Sequence, residues 1–574
     1  MRGAPVPSRP RVAAVPSLRA DAAPRNTLPV STATTAGGAA GSREVVPRRA
    51  GLVLAALIVS ALVCNINLAV ANVALPDIGR ALGSTQTQLT LVAVGCTLGL
   101  AMSVLYLGAV GDRYGRKMLL LTGLGLTIPA SAVSAWAPTT EVLVAGRIFT
   151  GIAAGMAYPT TLALITALWG EGPKRVRAIA LWSAVSAGGA VVGPVLAGLL
   201  LEDFWWGSVF LIAVPLAVIG FVLVLLAVPA HVNESTKAVD HFGGILSVVM
   251  IAALVLGIGI ISAPGKLTAA LILIAIAAVV IIVFAWHELR AKNPIYDLHY
   301  ARRRLFWVPA VAGMIIFGSL VGSMFVGQQF LQNVLGYSTL DAGTAILPAA
   351  VGMVLVAPLS ARLVVRIGSR DTMLLGYAFI LPAFIVMLVT WGEGTSYAWV
   401  GLGYLLVGIG AGLALTPAAR SLTGSVPVTR VGMASGTADL QRDLGGSIMQ
   451  ALLGTLLTIG YATAFTSQID ASPAADQVSE ATQSALTQSY SSAATLAERY
   501  PEYSEQIINA ARESFVDGAN WAYAAGGIAV IVGAIVVALV YPGLKGEKAL
   551  ISEYDAADTA VDEAARATPS TAGG

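Results

Sequence analysis

From Gly51 onward, apolar blocks of about 20 residues alternate with short polar joints. An α-helix rises about 1.5 Å per residue, so each block can cross the roughly 30 Å hydrocarbon core of a bilayer. Fourteen blocks are read, at about 51–76, 87–110, 118–136, 141–166, 179–201, 207–228, 243–262, 267–286, 305–328, 341–361, 371–391, 398–419, 433–463 and 520–542. In lipid a helix is the open-chain structure that satisfies its own backbone groups, so each block predicts a spanning helix. The seventh and eighth blocks are separated only by APGK. They predict a helical hairpin, 243–286, inserted between two six-helix halves at 50–228 and 305–545. The expected fold class is therefore an all-α membrane protein.

Composition agrees with the pattern. Hydrophobic residues make up 56% of the 574 and charged residues 11%, where soluble proteins carry about 25% charge. Four or so soluble domains could not be wetted with so little. Cys64 and Cys96 lie inside apolar blocks and give neither a disulfide framework nor zinc spacing, so they read as packing residues. Residues 1–49 hold seven prolines, eight arginines and two acids, Asp21 and Glu44, with no apolar run. That predicts a disordered basic tail rather than a signal peptide. A second disordered tail is expected at 546–574. The joint at 464–519 carries eight acids against two bases; it is expected to be a partly helical external loop and is given no chemistry.

Lys and Arg set the expected orientation. With the N-terminus inside, 28 of the 34 basic residues fall on inside segments. Four fall outside, Arg80, Lys266, Arg499 and Arg512, and two, Arg147 and Arg442, lie within blocks. Both termini are thus expected on the cytoplasmic face of a bacterial-type membrane. The chain has no G-x-x-x-x-G-K-[ST], H-E-x-x-H or G-x-S-x-G. His231, His241, His287 and His299 fall on cytoplasmic joints or at a helix end, away from the midplane. The GIGAG run at Gly408–Gly412 lies within an apolar block and reads as close helix packing. No enzyme, cofactor, metal, nucleic-acid partner or ATPase subunit is expected. The expected partners are the bilayer, protons and a small-molecule substrate, with an ion gradient as the energy source.

The joint after the second block reads G-A-V-G-D-R-Y-G-R-K, from Gly108 to Lys117. A positive-inside anchor explains its bases, but not Asp112 held between Gly108 and Gly115. Here the sequence resembles the major facilitator superfamily, whose signature at this joint is G-x-x-x-D-R-x-G-R-K. Gly108, Asp112, Arg113, Gly115, Arg116 and Lys117 match it. An Asp at a helix terminus can pair with cations and helix ends of the other half, contacts that must break on opening. The fourth block contains G-R-I-F-T-G-I-A-A-G, with Arg147 about a quarter of the way across. The fifth contains G-A-V-V-G-P-V-L-A-G, similar to the family's antiporter signature, with Ala197 replacing one glycine. Gly189 and Gly193 share a face, and Pro194 bends the helix near Gly198. An ordinary small-residue interface remains the alternative reading.

The fourteen blocks resemble the drug:proton antiporter branch of that family, which includes quaternary-ammonium and multidrug exporters. N-V-A-L-P at 72–76, F-L-Q-N-V-L-G-Y at 330–337 and G-M-A-S-G followed by D-L-G-G in 432–446 fit it. Pro358–Arg370 echoes the Gly108–Lys117 joint in the second half, which supports related halves. The branch usually carries an Asp in the first helix; Asn67 stands there instead. Asn67 is either an interhelical hydrogen-bonding residue or a substrate contact, and it cannot titrate. The thirteenth block supplies acids: Asp439 and Asp443, four apart, with Arg442 spaced to pair with Asp439. Asp443 lies about 15 Å into the bilayer, where an ionised group must be paired or wetted. Two acids against one base leave one carboxylate free to exchange a proton; a static ion pair plus one interfacial acid is the alternative. Tyr158, Trp182 and Phe325 are candidates for an aromatic cavity lining. Asp341 reads as a solvated helix-start residue. Together these point to proton-coupled export, with proton-coupled uptake or a non-transporting receptor as the other readings.

Overall fold

The computed structural model describes residue 47 and residues 49–169, 173–230, 238–427, 431–472 and 478–567. The N-terminal tail expected at 1–49 lies almost wholly outside them. In chain order the helices begin with α1 (Ala50–Ala69), α2 (Ala71–Leu82), α3 (Gln86–Tyr114), α4 (Arg116–Ala135), α5 (Thr140–Leu168), α6 (Pro173–Asp203), α7 (Ser208–Leu211) and α8 (Ala213–Ala227). The inserted hairpin is α9 (His241–Ile260) and α10 (Leu267–Glu288). Then come α11 (Leu298–Ala301), α12 (Arg304–Asn333), α13 (Thr339–Thr344), α14 (Leu347–Ile367), α15 (Ser369–Thr390), α16 (Tyr397–Gly424) and α17 (Val431–Ala471). The chain continues through α18 (Glu480–Gln488), α19 (Tyr490–Arg499), α20 (Ser504–Val540) and α21 (Leu544–Ala567). No strand occurs among the described residues. Thirteen stretches among them are long and apolar enough to span a membrane. The remaining block of the sequence, the fifth, corresponds to the 31-residue α6. Successive spans reverse direction, which gathers the Lys- and Arg-rich joints at one end of the bundle, the basic end. Arg80 and Lys266 lie at the other, the far end.

The first block is interrupted at Val70. Pro76 has no N–H, and its ring crowds the carbonyl one turn before it, so the helix bends there. The carbonyl of Val73 accepts a bond from Gln332 Nε2 at 2.8 Å, which ties the bend to α12 of the second half. Elsewhere small residues let helices meet backbone to backbone. Between α3 and α5, a Cβ on Gly99 would fall 2.9 Å from Gly151 Cα. Between α14 and α16, Gly408 abuts the Ala349 carbonyl, and a Cβ on Gly412 would lie 2.6 Å from the Met353 carbonyl. The GIGAG run is thus a packing surface. Gly151 and Gly155 repeat the spacing of Gly408 and Gly412 on corresponding helices of the two halves.

A second correspondence lies at the basic end. Gly115, between α3 and α4, has φ 118°, and Gly368, between α14 and α15, has φ 94°. Residues with a Cβ rarely adopt such angles, so glycine is required at both turns. Matching the two glycines sets Val365 opposite Asp112 and Ser369 opposite Arg116. In the first half Arg116 pairs with Asp112 at 2.8 Å. In the second half the carboxylate arrives from elsewhere. Glu547 of α21 accepts from the Ser369 N–H at 3.1 Å and from Ser369 Oγ at 2.6 Å, capping α15.

The 546–574 tail, expected to be disordered, is therefore helical through Ala567 and docked on the second half. Arg303 holds it by a two-pronged pair with Asp558 at 2.6 and 3.0 Å. The same guanidinium lies 4.5 Å from the Tyr554 ring and donates to the Ser425 carbonyl at 2.7 Å. Glu547 and Ser369 are both buried. Glu547→Ala should leave the α15 N–H and the Ser369 hydroxyl unsatisfied, at about 1–3 kcal/mol. The thermal midpoint of the purified protein should fall, and an unchanged midpoint would remove α21 as a structural element of this half.

Candidate functional site

A cavity of about 370 Å³ opens at the basic end. One wall belongs to the first half, with Leu105, Gly108 and Asp112 of α3, Arg116 of α4 and Thr160 and Ala163 of α5. The other is formed by Ile295 and by Met433, Gly436 and Asp439 of α17. At the far end the halves are closed on each other. Gln86 Nε2 donates to Gln329 Oε1 at 2.9 Å, and Thr339 Oγ1 donates to the Gly198 carbonyl at 3.3 Å. Deeper, Thr97 Oγ1 donates to Gln450 Oε1 at 3.4 Å, between α3 and α17. The bundle is thus open at one end and sealed at the other.

The α17 residues sit where this cavity narrows. Asp439 lines it. One turn deeper, the Asp443 side chain is only 3% exposed, and its Oδ2 has no hydrogen-bond partner among the described residues. The sequence spacing suits an Arg442–Asp439 pair, but the ion pair of Arg442 is with Asp443, Nε to Oδ1 at 3.8 Å. The reason is the reach of the guanidinium across the interface. It lies 5.0 Å from the Tyr158 ring of α5 and 5.5 Å from the Phe317 ring of α12. Tyr158 in turn packs on Trp182 at 5.6 Å, and Trp182 Nε1 donates to Thr161 Oγ1 at 3.0 Å. Of the three aromatics expected to line the cavity, Tyr158 and Trp182 are buried beside Arg442 and are not in the cavity wall. Phe325 is fully buried in the core of the second half. Phe317 takes part instead; nothing in its sequence surroundings marks it.

Asn67 and Arg147 form a separate buried centre in the first half. Arg147 is fully buried; its Nη1 donates to the Asn67 carbonyl at 2.8 Å and its Nε to the Val92 carbonyl at 3.4 Å. The guanidinium lies 5.3 Å from the Phe210 ring, and Nη2 has no partner among the described residues. The Asn67 side chain turns back on its own helix, donating to the Val63 carbonyl at 3.2 Å. Neither residue lines the basic-end cavity. Asp341 shares hydrogen bonds with Ser338 at the exposed start of α13, as expected.

In the Gly108–Lys117 joint, Asp112 is exposed on the cavity wall and among the described residues pairs with Arg116 of its own half. Arg116 Nη1 also reaches the Ala163 carbonyl at 3.3 Å, and Lys117 Nζ caps α8 at the Leu225 carbonyl, 2.9 Å away. Arg113 stands exposed in the last turn of α3. A Cβ on Gly108 would meet open space, whereas one on Gly111 would lie 2.6 Å from Leu119 Cδ2. Gly111, unmarked by the signature, is the tightly packed glycine in this conformation. The α6 glycines divide between two tasks. Gly189 and Gly193 face α1, where a Cβ on Gly193 would sit 3.1 Å from Ala69 Cβ. Gly198 faces the other half, where a Cβ would lie 2.7 Å from Leu340 Cα, and a Cβ on Gly343 of α13 would in turn lie 2.5 Å from the Pro194 carbonyl.

Two related bundles that close at one end and part at the other define a membrane transporter fold. Residues 57–450 match the model of the Major Facilitator Superfamily, and the chain belongs to that family of secondary-active transporters for small organic solutes. It is a multi-pass membrane protein of bacterial type. It is 33% identical over 391 residues to the multidrug resistance protein Stp of Mycobacterium tuberculosis, across 68% of this chain and 72% of that one. To the multidrug efflux pump LfrA of Mycolicibacterium smegmatis it is 30% identical over 496 residues, across 86% and 97%. To the methyl viologen resistance protein SmvA of Salmonella typhimurium it is 30% identical over 459 residues, across 79% and 90%. Among solved structures, an inward-facing bacterial homolog of the human lysosomal transporter Spinster superposes with a TM-score of 0.55 at 15% identity, covering 85% of this chain and 97% of that one. At that identity the likeness speaks for the fold alone.

The two glycine contacts of α6 should separate in experiment. Gly193→Leu overpacks one half internally and should lower stability by about 1–3 kcal/mol, read as a lower thermal midpoint. Gly198→Leu should wedge the far end open while the halves stay folded. Cysteines placed at the far end should then react faster with a membrane-impermeant thiol reagent; an unchanged rate would show that the Gly198 contact does not govern closure.

Proposed function

We propose that this protein exports amphipathic organic compounds, cationic or neutral, in exchange for protons by alternating access. The observation that carries the reading is Asp439 on the α17 wall of the cavity, across from Asp112, Arg116 and Arg175 of the first half, with a buried and incompletely bonded acid, Asp443, one turn deeper. A cation entering this cavity meets Asp112 already paired with Arg116, so Asp439, with no ion pair among the described residues, is the carboxylate left to hold its charge. The basic end faces the cytoplasm in this reading, in accord with the 28 basic residues gathered on that side. The conformation is then inward-open.

Asp439 and Asp443 act as one coupled titrating pair. Arrival of a cation favours the ionised pair and expels a proton inward. After the halves rock, a proton from outside displaces the substrate. Arg442, braced by Tyr158 and Phe317, keeps a fixed positive charge beside Asp443 without neutralising Asp439. Asp112, exposed on the cavity wall, is the latch that closes the basic end when the second half comes within reach. The relatives named for drug efflux and methyl viologen resistance support export as the direction.

The test uses everted vesicles and proton movement on addition of methyl viologen. Asp443→Asn should abolish substrate-driven proton release while leaving some substrate binding. Asp439→Asn should impair cationic substrates more than neutral ones. If the double variant exchanges protons at the parent rate, coupling does not run through α17. Asp112→Asn should cut transport sharply at normal membrane levels; full transport would leave Asp112 a topological charge only.

A further inference from the structure

The inserted hairpin carries titratable groups at its basic end that the transport path leaves unused. Asp240 caps α9, accepting from the Gly243 N–H at 2.9 Å through Oδ1. Its Oδ2 meets His287 Nε2 at 2.7 Å, and His287 packs edge-on against Phe242. Glu288, the last residue of α10, is only 3% exposed. Its Oε2 accepts from the Tyr296 N–H at 3.0 Å, and its Oε1 has no partner among the described residues. Both acids crowd the same glycine: a Cβ on Gly243 would lie 2.5 Å from Glu288 Oε1 and 2.7 Å from Asp240 Oδ2. A buried carboxylate oxygen set against the same glycine as a second carboxylate, with no donor among the described residues, lacks one hydrogen.

This base touches both halves at the mouth of the cavity. On the first-half side, His241 Nδ1 shares a hydrogen bond with Tyr106 of α3 at 2.9 Å. On the other, the segment 289–303 leads from Glu288 into α12. Within it Tyr296 packs with Met433 against Phe306, the Asp297 N–H donates to Met433 Sδ at 3.2 Å, and Ile295 lines the cavity beside Asp439. The charged and titratable groups around Glu288 are Asp240 and His287 of the hairpin and Asp297 of the segment. Tyr106 and His241 stand on the α3 side, and Arg290 is turned onto the Trp286 ring at 4.5 Å.

We propose that Asp240 and Glu288 form a second proton-binding site, separate from the α17 acids, whose occupancy sets the pose of segment 289–303 against α17. With one proton on Glu288 Oε1, that oxygen donates to Asp240, and Glu288 Oε2 keeps the Tyr296 N–H. When the proton leaves to water, two carboxylates face each other across Gly243 and repel. Glu288 then turns outward, Tyr296 loses its acceptor, and the segment loosens at the cavity mouth. The proton thus acts as a regulator of access and not as the exchanged ion.

The test needs no substrate. The full chain, purified in detergent, carries a bimane fluorophore on Ile295→Cys; Cys64 and Cys96 are buried. Between pH 5 and 9 the emission maximum should shift in a single sigmoidal step. Glu288→Gln should abolish the step. Asp240→Asn should keep it but move its midpoint to lower pH by about one unit, because a neighbouring negative charge is gone. The double variant Asp439→Asn with Asp443→Asn should retain the step, whatever it does to transport. A flat profile in the labelled parent, or the parent's step persisting in Glu288→Gln, overturns the proposal, as does loss of the step in the α17 double variant. Should Glu288→Gln fail to fold, an unchanged midpoint in Asp240→Asn overturns it equally.

Discussion

An ion inside an apolar bundle must be held by something, and this molecule keeps its interior charges few and separately held. Ionised groups at membrane depth cost at least several kcal/mol unless paired or wetted. Arg147 meets the demand with the carbonyls of Asn67 and Val92 and the face of Phe210. Arg442 meets it with one carboxylate and two aromatic rings. The two arrangements have different consequences. Carbonyls and ring faces stabilise a cation without titrating, so the Arg147 centre is a fixed strut. Placing Arg442 against rings leaves two acids of α17 to share one guanidinium, and the proposed exchange of a cation for a proton rests on that imbalance.

The same economy shapes the two ends. Sealing the far end takes few polar bonds, because Gly198 and Gly343 bring backbones of opposite halves into direct contact and Gly454 seats the Thr90 side chain. The basic end is built from charged joints that can stand in water when parted. Each half secures its own joint there, but by different means. The first half does so within one sequence motif, through Asp112 and Arg116. The second has Val365 where the first has Asp112, and α21 brings a carboxylate to the same turn from more than 170 residues away in sequence, between Ser369 and Glu547. The C-terminal helix therefore belongs to the second half's rigid body.

The spans were legible because their signal is length and hydropathy, which lipid enforces with little regard for partners. The turn glycines Gly115 and Gly368 and the packing run at Gly408–Gly412 were legible for a related reason: backbone geometry restricts what can stand there. What depended on partners was not. α21 is too polar to register as a span, and its hold on Arg303 and Ser369 is visible only once the chain has folded. Arg442 has two acids at permitted spacings, and the rings that draw it away from Asp439 come from other helices. Phe317 and Phe325 lie eight residues apart on one helix. Only the packing of α12 decides that the first meets Arg442 and the second fills the core. Motifs report the elements that move; packing reports what they move against.

The inserted hairpin constrains how that motion can run. At the far end α9 and the turn after it are tied to both halves: Thr455 Oγ1 of α17 donates to the Ile258 carbonyl at 2.9 Å, and Thr87 Oγ1 of α3 shares a bond with Ser262 at 3.2 Å. At the basic end α9 is held to α3, through His241 and through Gly244 packed on the Tyr106 ring. It also packs directly on α17, with Ile251 and Val255 in one cluster with Leu440, Leu444 and Ala451, and the segment 289–303 adds a tie at the basic end. The hairpin therefore bridges α3 and α17 along its length, and any parting of those two helices must change its contacts with one of them. An element outside both six-helix halves thereby bears on the opening between them.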